Sequence, residues 1–130
     1  MMSISRESAL AIAACGLLST VAVAKPIPTD QTRRADCVLE VDGSRYIDGL
    51  CDFSPIDTDG SFVVTSKRNS SLFAYVNMNG DGSAQGSWTG PGGASNAHED
   101  LGQLSRNGGC WSNATAKVCA WKPGEKRVGL

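Results

Sequence analysis

The residues that could do chemistry in this chain are few, and most of them are cysteines. Setting aside Cys15, four remain: Cys37, Cys51, Cys110 and Cys119. An even count in an exported chain reads as a disulfide framework. Three connectivities are open, and the spacing favours Cys37–Cys51 with Cys110–Cys119, because each pair flanks a turn signal and closes a short loop. Zinc would want Cys-x-x-Cys spacing or several histidines. The chain has no Cys-x-x-Cys and a single histidine, His98. His98 is followed by Glu99 and Asp100, and a histidine beside carboxylates can act as a general base. No nucleophile motif accompanies it. In Gly86-Ser87-Trp88-Thr89-Gly90 the serine stands one position early for a nucleophile elbow.

Three further patterns have plainer readings. Asn77-x-Asn79-x-Asp81-Gly82 imitates the start of a calcium loop, but Trp88 stands where a bidentate glutamate belongs. A hairpin turn is the expectation. Asn69-Ser70-Ser71 and Asn113-Ala114-Thr115 fit the glycosylation acceptor pattern, which matters only in a eukaryotic secretory pathway. Turn composition accounts for both without sugar. Trp88, Trp111 and Trp121 could form a carbohydrate platform. If Cys110 and Cys119 face each other in a hairpin, however, Trp111 falls on the opposite face from the bridge and Trp121 on the same face. The two indoles then point apart.

The elements that must position these residues follow from the rest of the chain. Residues 8–24 are nearly all small or apolar, end Ala22-Val23-Ala24, and read as a secretory signal peptide over 1–24. The rival is a lipobox, Ile12-Ala13-Ala14-Cys15, which would anchor the chain at a lipidated Cys15. Apolar sequence continuing past Cys15 argues against it. No membrane span is expected after processing. Cleavage takes away one base, Arg6, and one acid, Glu7, so the net charge stays at −1. No field steers such a chain to nucleic acid.

Residues 25–35 show no periodicity and are expected to be a flexible leader. A single β-domain is expected over 36–123 and a tail over 124–130. In that domain short apolar runs alternate with Gly, Asp, Asn and Ser, and no window carries a helical stripe. Strands are expected at 37–41, 45–50, 62–65, 72–76 and 83–88, with another at 101–105 and the cysteine hairpin last. Leu72, Ala74 and Val76 share one face, as do Ala84, Gly86 and Trp88. Small residues beside Trp88 imply that something packs closely over them. Leu101 and Leu104 could also lie on a helical turn. About seven strands in roughly 85 residues imply an all-β fold, a small antiparallel β-barrel or, alternatively, a β-sandwich, stapled by two disulfides.

The set Tyr46-Ile47-Asp48-Gly49, Gly60-Ser61-Phe62, Ala97-His98, Leu101-Gly102, Gly109-Cys110-Trp111 and Cys119-Ala120-Trp121 resembles small exported β-proteins of alphaproteobacteria to which no activity is assigned. The resemblance runs roughly from Cys37 to Trp121. It implies a periplasmic or secreted address and carries over no catalytic residue. A weaker likeness, of architecture alone, is to the periplasmic lysozyme inhibitors, whose Ser-Gly-x-x-Tyr signature does not occur at residues 70–75.

These observations lead to a non-enzymatic binding or inhibitor module with no cofactor, no metal and no catalytic set. Its partner would be a protein of the bacterial envelope, with lysozyme one candidate. The binding surface is expected on the glycine-rich loop, through Gly90, Pro91, Gly92, Gly93 and His98, with Arg106 brought beside them. A structural or envelope-stress protein without a ligand site, and a hydrolase using His98, are the alternatives.

Overall fold

The computed structural model describes residues 31–125. The expected signal peptide, Cys15, the first part of the expected leader and residues 126–130 lie outside them. Eight antiparallel strands close into one barrel in chain order. They are β1 (Arg33–Val41), β2 (Ser44–Pro55), β3 (Phe62–Ser66), β4 (Phe73–Met78), β5 (Ser83–Trp88), β6 (Glu99–Asn107), β7 (Cys110–Ser112) and β8 (Ala116–Trp121). β8 pairs with β1, with Val38 opposite Cys119, and this closure leaves a barrel where a sandwich was the alternative.

The strands run longer than the local pattern implies. β1 begins at Arg33, so the last three residues of the expected leader are sheet: Ala35 is buried and sits opposite Cys51. β2 continues through Cys51–Pro55 because β3 pairs with that half alone. Pro55, which has no N–H to donate, stands at the strand's end, where it costs least. At the other terminus the Gly124 amide donates to Asp36 Oδ2 at 2.8 Å, which ties the first residue of the expected tail to β1.

Side chains alternate in and out, and the inward set is almost wholly apolar. Leu39, Ile47, Val64, Ala74, Val76, Ala84, Leu104 and Val118 form the interior. Asp36, Glu40, Asp52, Gln85, Gln103 and Lys117 alternate with them and meet water. This is the reverse of a lipid-facing barrel, which is apolar outside. Among the described residues no helix is long and apolar enough to cross a membrane.

Leu101 and Leu104 are three apart yet both buried, which strict alternation forbids. A β-bulge resolves this. The β5–β6 register shifts between Gly86 and Ser87, and Gly102 adopts φ +84°, inserting the extra residue. The two leucines then close over Gly86. A Cβ there would lie 2.7 Å from Leu104 Cδ1 and 3.0 Å from Leu101 Cβ. The close packing implied by the small residues beside Trp88 is therefore leucine over glycine.

Both favoured disulfides form. Cys37–Cys51 lies inside the barrel, between β1 and β2, and Cys110–Cys119 joins β7 to β8. The second bridge packs outside with Val38 and Trp121. Trp111, opposite Val118, belongs to the interior. The indoles point apart as expected.

Candidate functional site

Antiparallel order sorts the turns between two ends. The turns at 42–43 and 113–115 and the loops 67–72 and 89–98 lie at one end. The turns at 56–61, 79–82 and 108–109 lie at the other. The first end is plugged: Trp88 and Tyr46 pack ring to ring at 4.7 Å beneath it. The second is open.

The glycine-rich loop stands at the plugged end. Gly93 N–H donates to the Gly90 carbonyl at 3.1 Å, closing a turn with Pro91 at its second position, where a fixed φ suits it. Thr89 N–H reaches the Phe73 carbonyl at 3.2 Å and Ala94 N–H the Ser71 carbonyl at 2.9 Å. Gly93 has φ +78°, and a Cβ on it would meet the Ser71 backbone. The base of the loop is thus held against the β3–β4 loop. Pro91, Gly92, Ser95, Asn96 and His98 are exposed.

His98 is a surface residue with 54% of its side chain accessible. Its Nε2 lies 3.7 Å from Glu99 Oε2 and its Nδ1 3.4 Å from the Asn96 carbonyl. Asp100 turns away: its Oδ1 accepts the Gly102 N–H at 2.9 Å and the Gln85 amide. Among the described residues no hydroxyl or amine nucleophile is hydrogen-bonded to His98.

Arg106 is not beside His98. The two stand at opposite ends of β6, eight residues apart, which at the rise of a strand is roughly 25 Å. The expectation of one surface holding both is corrected by the length of β6, which extends beyond the expected 101–105 at both ends.

At the same end of the barrel as the glycine loop, Arg45, Lys67 and Arg68 line a groove of about 480 Å³ between β2 and the β3–β4 loop, the loop whose Ser71 carbonyl accepts from Ala94. Arg45 pairs with Glu40 at 3.2 Å and Asp48 at 3.4 Å, and Lys67 with Asp52 at 3.4 Å. The hydrogen bond that Arg45 donates to Glu40 is the main reason its guanidinium holds its proton more firmly than usual. The only signal of this groove in the chain is the dipeptide Lys67-Arg68. The barrel brings Ser71, in the same loop, to Ala94.

The turn motifs close turns. Asp81 Oδ1 accepts the Ser83 N–H at 2.9 Å and its hydroxyl at 2.6 Å, so the carboxylate of the calcium-like pattern is folded onto its own hairpin. Asp59 accepts the Ser61 N–H at 2.9 Å in the same way. These serine bonds hold both carboxyls below the ordinary aspartate range. Asn69 accepts from Ser71. Asn113 does more: its Oδ1 accepts the amides of Thr115 and Ala116, and its Nδ2 donates to the Leu101 and Gln103 carbonyls at 2.9 and 3.1 Å. It continues the β6 ladder past the point where β7 stops. Among the described residues no group of three or more His, Cys, Asp or Glu could hold a metal ion.

No known protein family, curated protein or solved structure matches this chain. The barrel and its two ends therefore carry the functional argument.

Proposed function

We propose that the protein is a non-enzymatic binding module of the bacterial envelope that engages a protein partner with the plugged end of its barrel. The observation that supports this most is the pinning of the 89–98 loop: an exposed, polar-tipped segment bonded at Thr89 and Ala94 to a closed, disulfide-bonded frame. A loop ordered before binding loses little entropy on binding, which is how rigid inhibitors reach useful affinity. The two disulfides suit an oxidising compartment, and the reading as a periplasmic or secreted chain rests on the apolar leader and the resemblance to exported proteins.

Residues Pro91, Ser95, Asn96 and His98 supply the contact tip. Arg45, Lys67 and Arg68 at the same end offer cations to carboxylates in the partner. Arg106 has no part in this surface. Enzymes that carry paired carboxylates in an open cleft fit such a tip, and lysozyme is the first to try.

The test uses immobilised protein and lysozyme. Retention should be lost in an Asn96→Arg/His98→Glu variant that keeps the wild-type thermal midpoint. Excess protein should also slow lysozyme turnover. Unchanged turnover and no retention would remove lysozyme as the partner. A hydrolytic activity abolished by His98→Ala would contradict the non-enzymatic reading.

A further inference from the structure

The open end of the barrel holds a second feature, independent of the loop. Period-two alternation puts Arg106 on the inner face. It follows Leu104, which is fully buried, and stands directly opposite Trp111, which belongs to the interior cluster. Between the strand ends the inward positions are apolar apart from Ser66 and glycines; at the ends charged residues share that face, Arg33 opposite Phe53 and Glu99 opposite Trp88 as well as Arg106. A charged side chain at such a position is tolerated only where the barrel opens to water.

It does open there. A cavity of about 550 Å³ reaches in from the mouth, within the size range of small-molecule sites. Its walls are Phe53, Phe62, Met78, Trp111 and Ala120, contributed by five strands, with Arg106 at the rim. Phe53 and Phe62 stack at 4.9 Å. The turns above carry glycine at 60, 82, 108 and 109, so no side chain projects from those positions of the entrance. Arg106 Nε donates to the Gly108 carbonyl at 3.1 Å. This bond fixes the guanidinium at the rim while Nη1 and Nη2 have no partner among the described residues. Asp59 borders the same mouth, but its carboxylate is folded onto Ser61.

We propose that this mouth is a binding site for a small amphipathic carboxylate. Its apolar chain fills the cup between Phe53, Phe62, Met78 and Trp111, and its carboxylate takes the two open faces of the Arg106 guanidinium. A planar fork of N–H donors suits a carboxylate better than any neutral head group. The open donors decide the class, because the Arg106 guanidinium has N–H groups without partners among the described residues whereas the Asp59 carboxylate is already bonded to Ser61.

The probes are decanoate, 1-decanol and decyltrimethylammonium, titrated by calorimetry and tryptophan fluorescence into the processed chain with its tail intact. Decanoate is expected to bind saturably at one site per chain and to change the tryptophan emission. Arg106→Gln should weaken decanoate by about tenfold or more while leaving decanol unchanged. Arg106→Lys should keep a preference for the anion. A thermal midpoint close to wild type shows that each variant is folded, since Arg106 is exposed. The proposal is overturned if decanoate shows no saturable binding below its micelle concentration, or if Arg106→Gln binds it equally well. It is also overturned if the decyl cation binds more tightly, or if decanoate binds only after residues 126–130 are removed, which would assign the mouth to the chain's own tail.

Discussion

Single polar side chains hold this barrel's irregular places together, and Asn113 is the clearest of them. Its amide bridges the β7–β8 turn and two carbonyls of β6. Asn113→Ala leaves several backbone groups without partners and is expected to cost about 2–3 kcal/mol. Urea unfolding measures this, and a loss under 0.5 kcal/mol, the usual range of a neutral surface change, would contradict the role. Asp59 and Asp81 make a prediction in pH. Their folded carboxyls ionise below the ordinary aspartate range because serine groups donate to the charged form. The unfolded state thus takes up protons first as pH falls. The stabilisation is complete above the unfolded value, near pH 4, and is lost as pH drops through the lowered folded values. Comparing the urea midpoints of the wild type and an Asp59→Asn/Asp81→Asn variant should show a gap at pH 6 that closes towards pH 2. A gap independent of pH would refute the assignment. None of these roles follows from the residue pattern alone. Asn113-Ala114-Thr115 looks like a sugar acceptor and Asn77–Gly82 like half a calcium loop, because turn closure, glycosylation and metal binding draw on the same oxygen-bearing residues.

At the scale of elements, alternation carried most of the fold. The inward sets at 72–76 and 84–88, the opposed tryptophans and both disulfide pairings follow from period two and loop length. What escaped was governed by partners distant in sequence. β1 starts at Arg33 because Cys51 and Phe53 are there to pair with it, and no local signal marks Arg33-Arg34-Ala35 as a strand. Leu101 and Leu104 looked compatible with a helical turn because the bulge at Gly102 breaks the period. That bulge gives a test. Gly86→Val drives side-chain atoms into Leu101 and Leu104, and overpacking of this kind costs about 1–3 kcal/mol. A variant as stable as wild type would mean the two strands are not so close. The disulfides differ in setting. By loop length alone they would contribute about 3 kcal/mol for the separation of 14 and about 2.5 kcal/mol for that of 9. The Cys37–Cys51 pair also fills fully buried space inside the barrel. Replacing it with two alanines should therefore lower the thermal midpoint more than the same change at Cys110 and Cys119. The opposite order would place the more critical bridge outside.

The whole molecule is a closed cylinder with unlike ends. One is plugged by Trp88 and Tyr46 and carries the pinned loop and a groove lined by basic residues. The other is an open apolar cup with a guanidinium at its rim. Sequence reasoning expected Arg106 beside the glycine loop, since no local pattern tells on which end a strand terminates; the barrel sets them at opposite ends. The central claim is that the loop end meets a protein partner. A photo-crosslinking residue placed at Asn96, and separately at Gln103 on the outer wall, tests this in intact cells by mass spectrometry. The account predicts a discrete protein adduct from position 96 and none from position 103. No adduct from 96, or the same adducts from both, would contradict it.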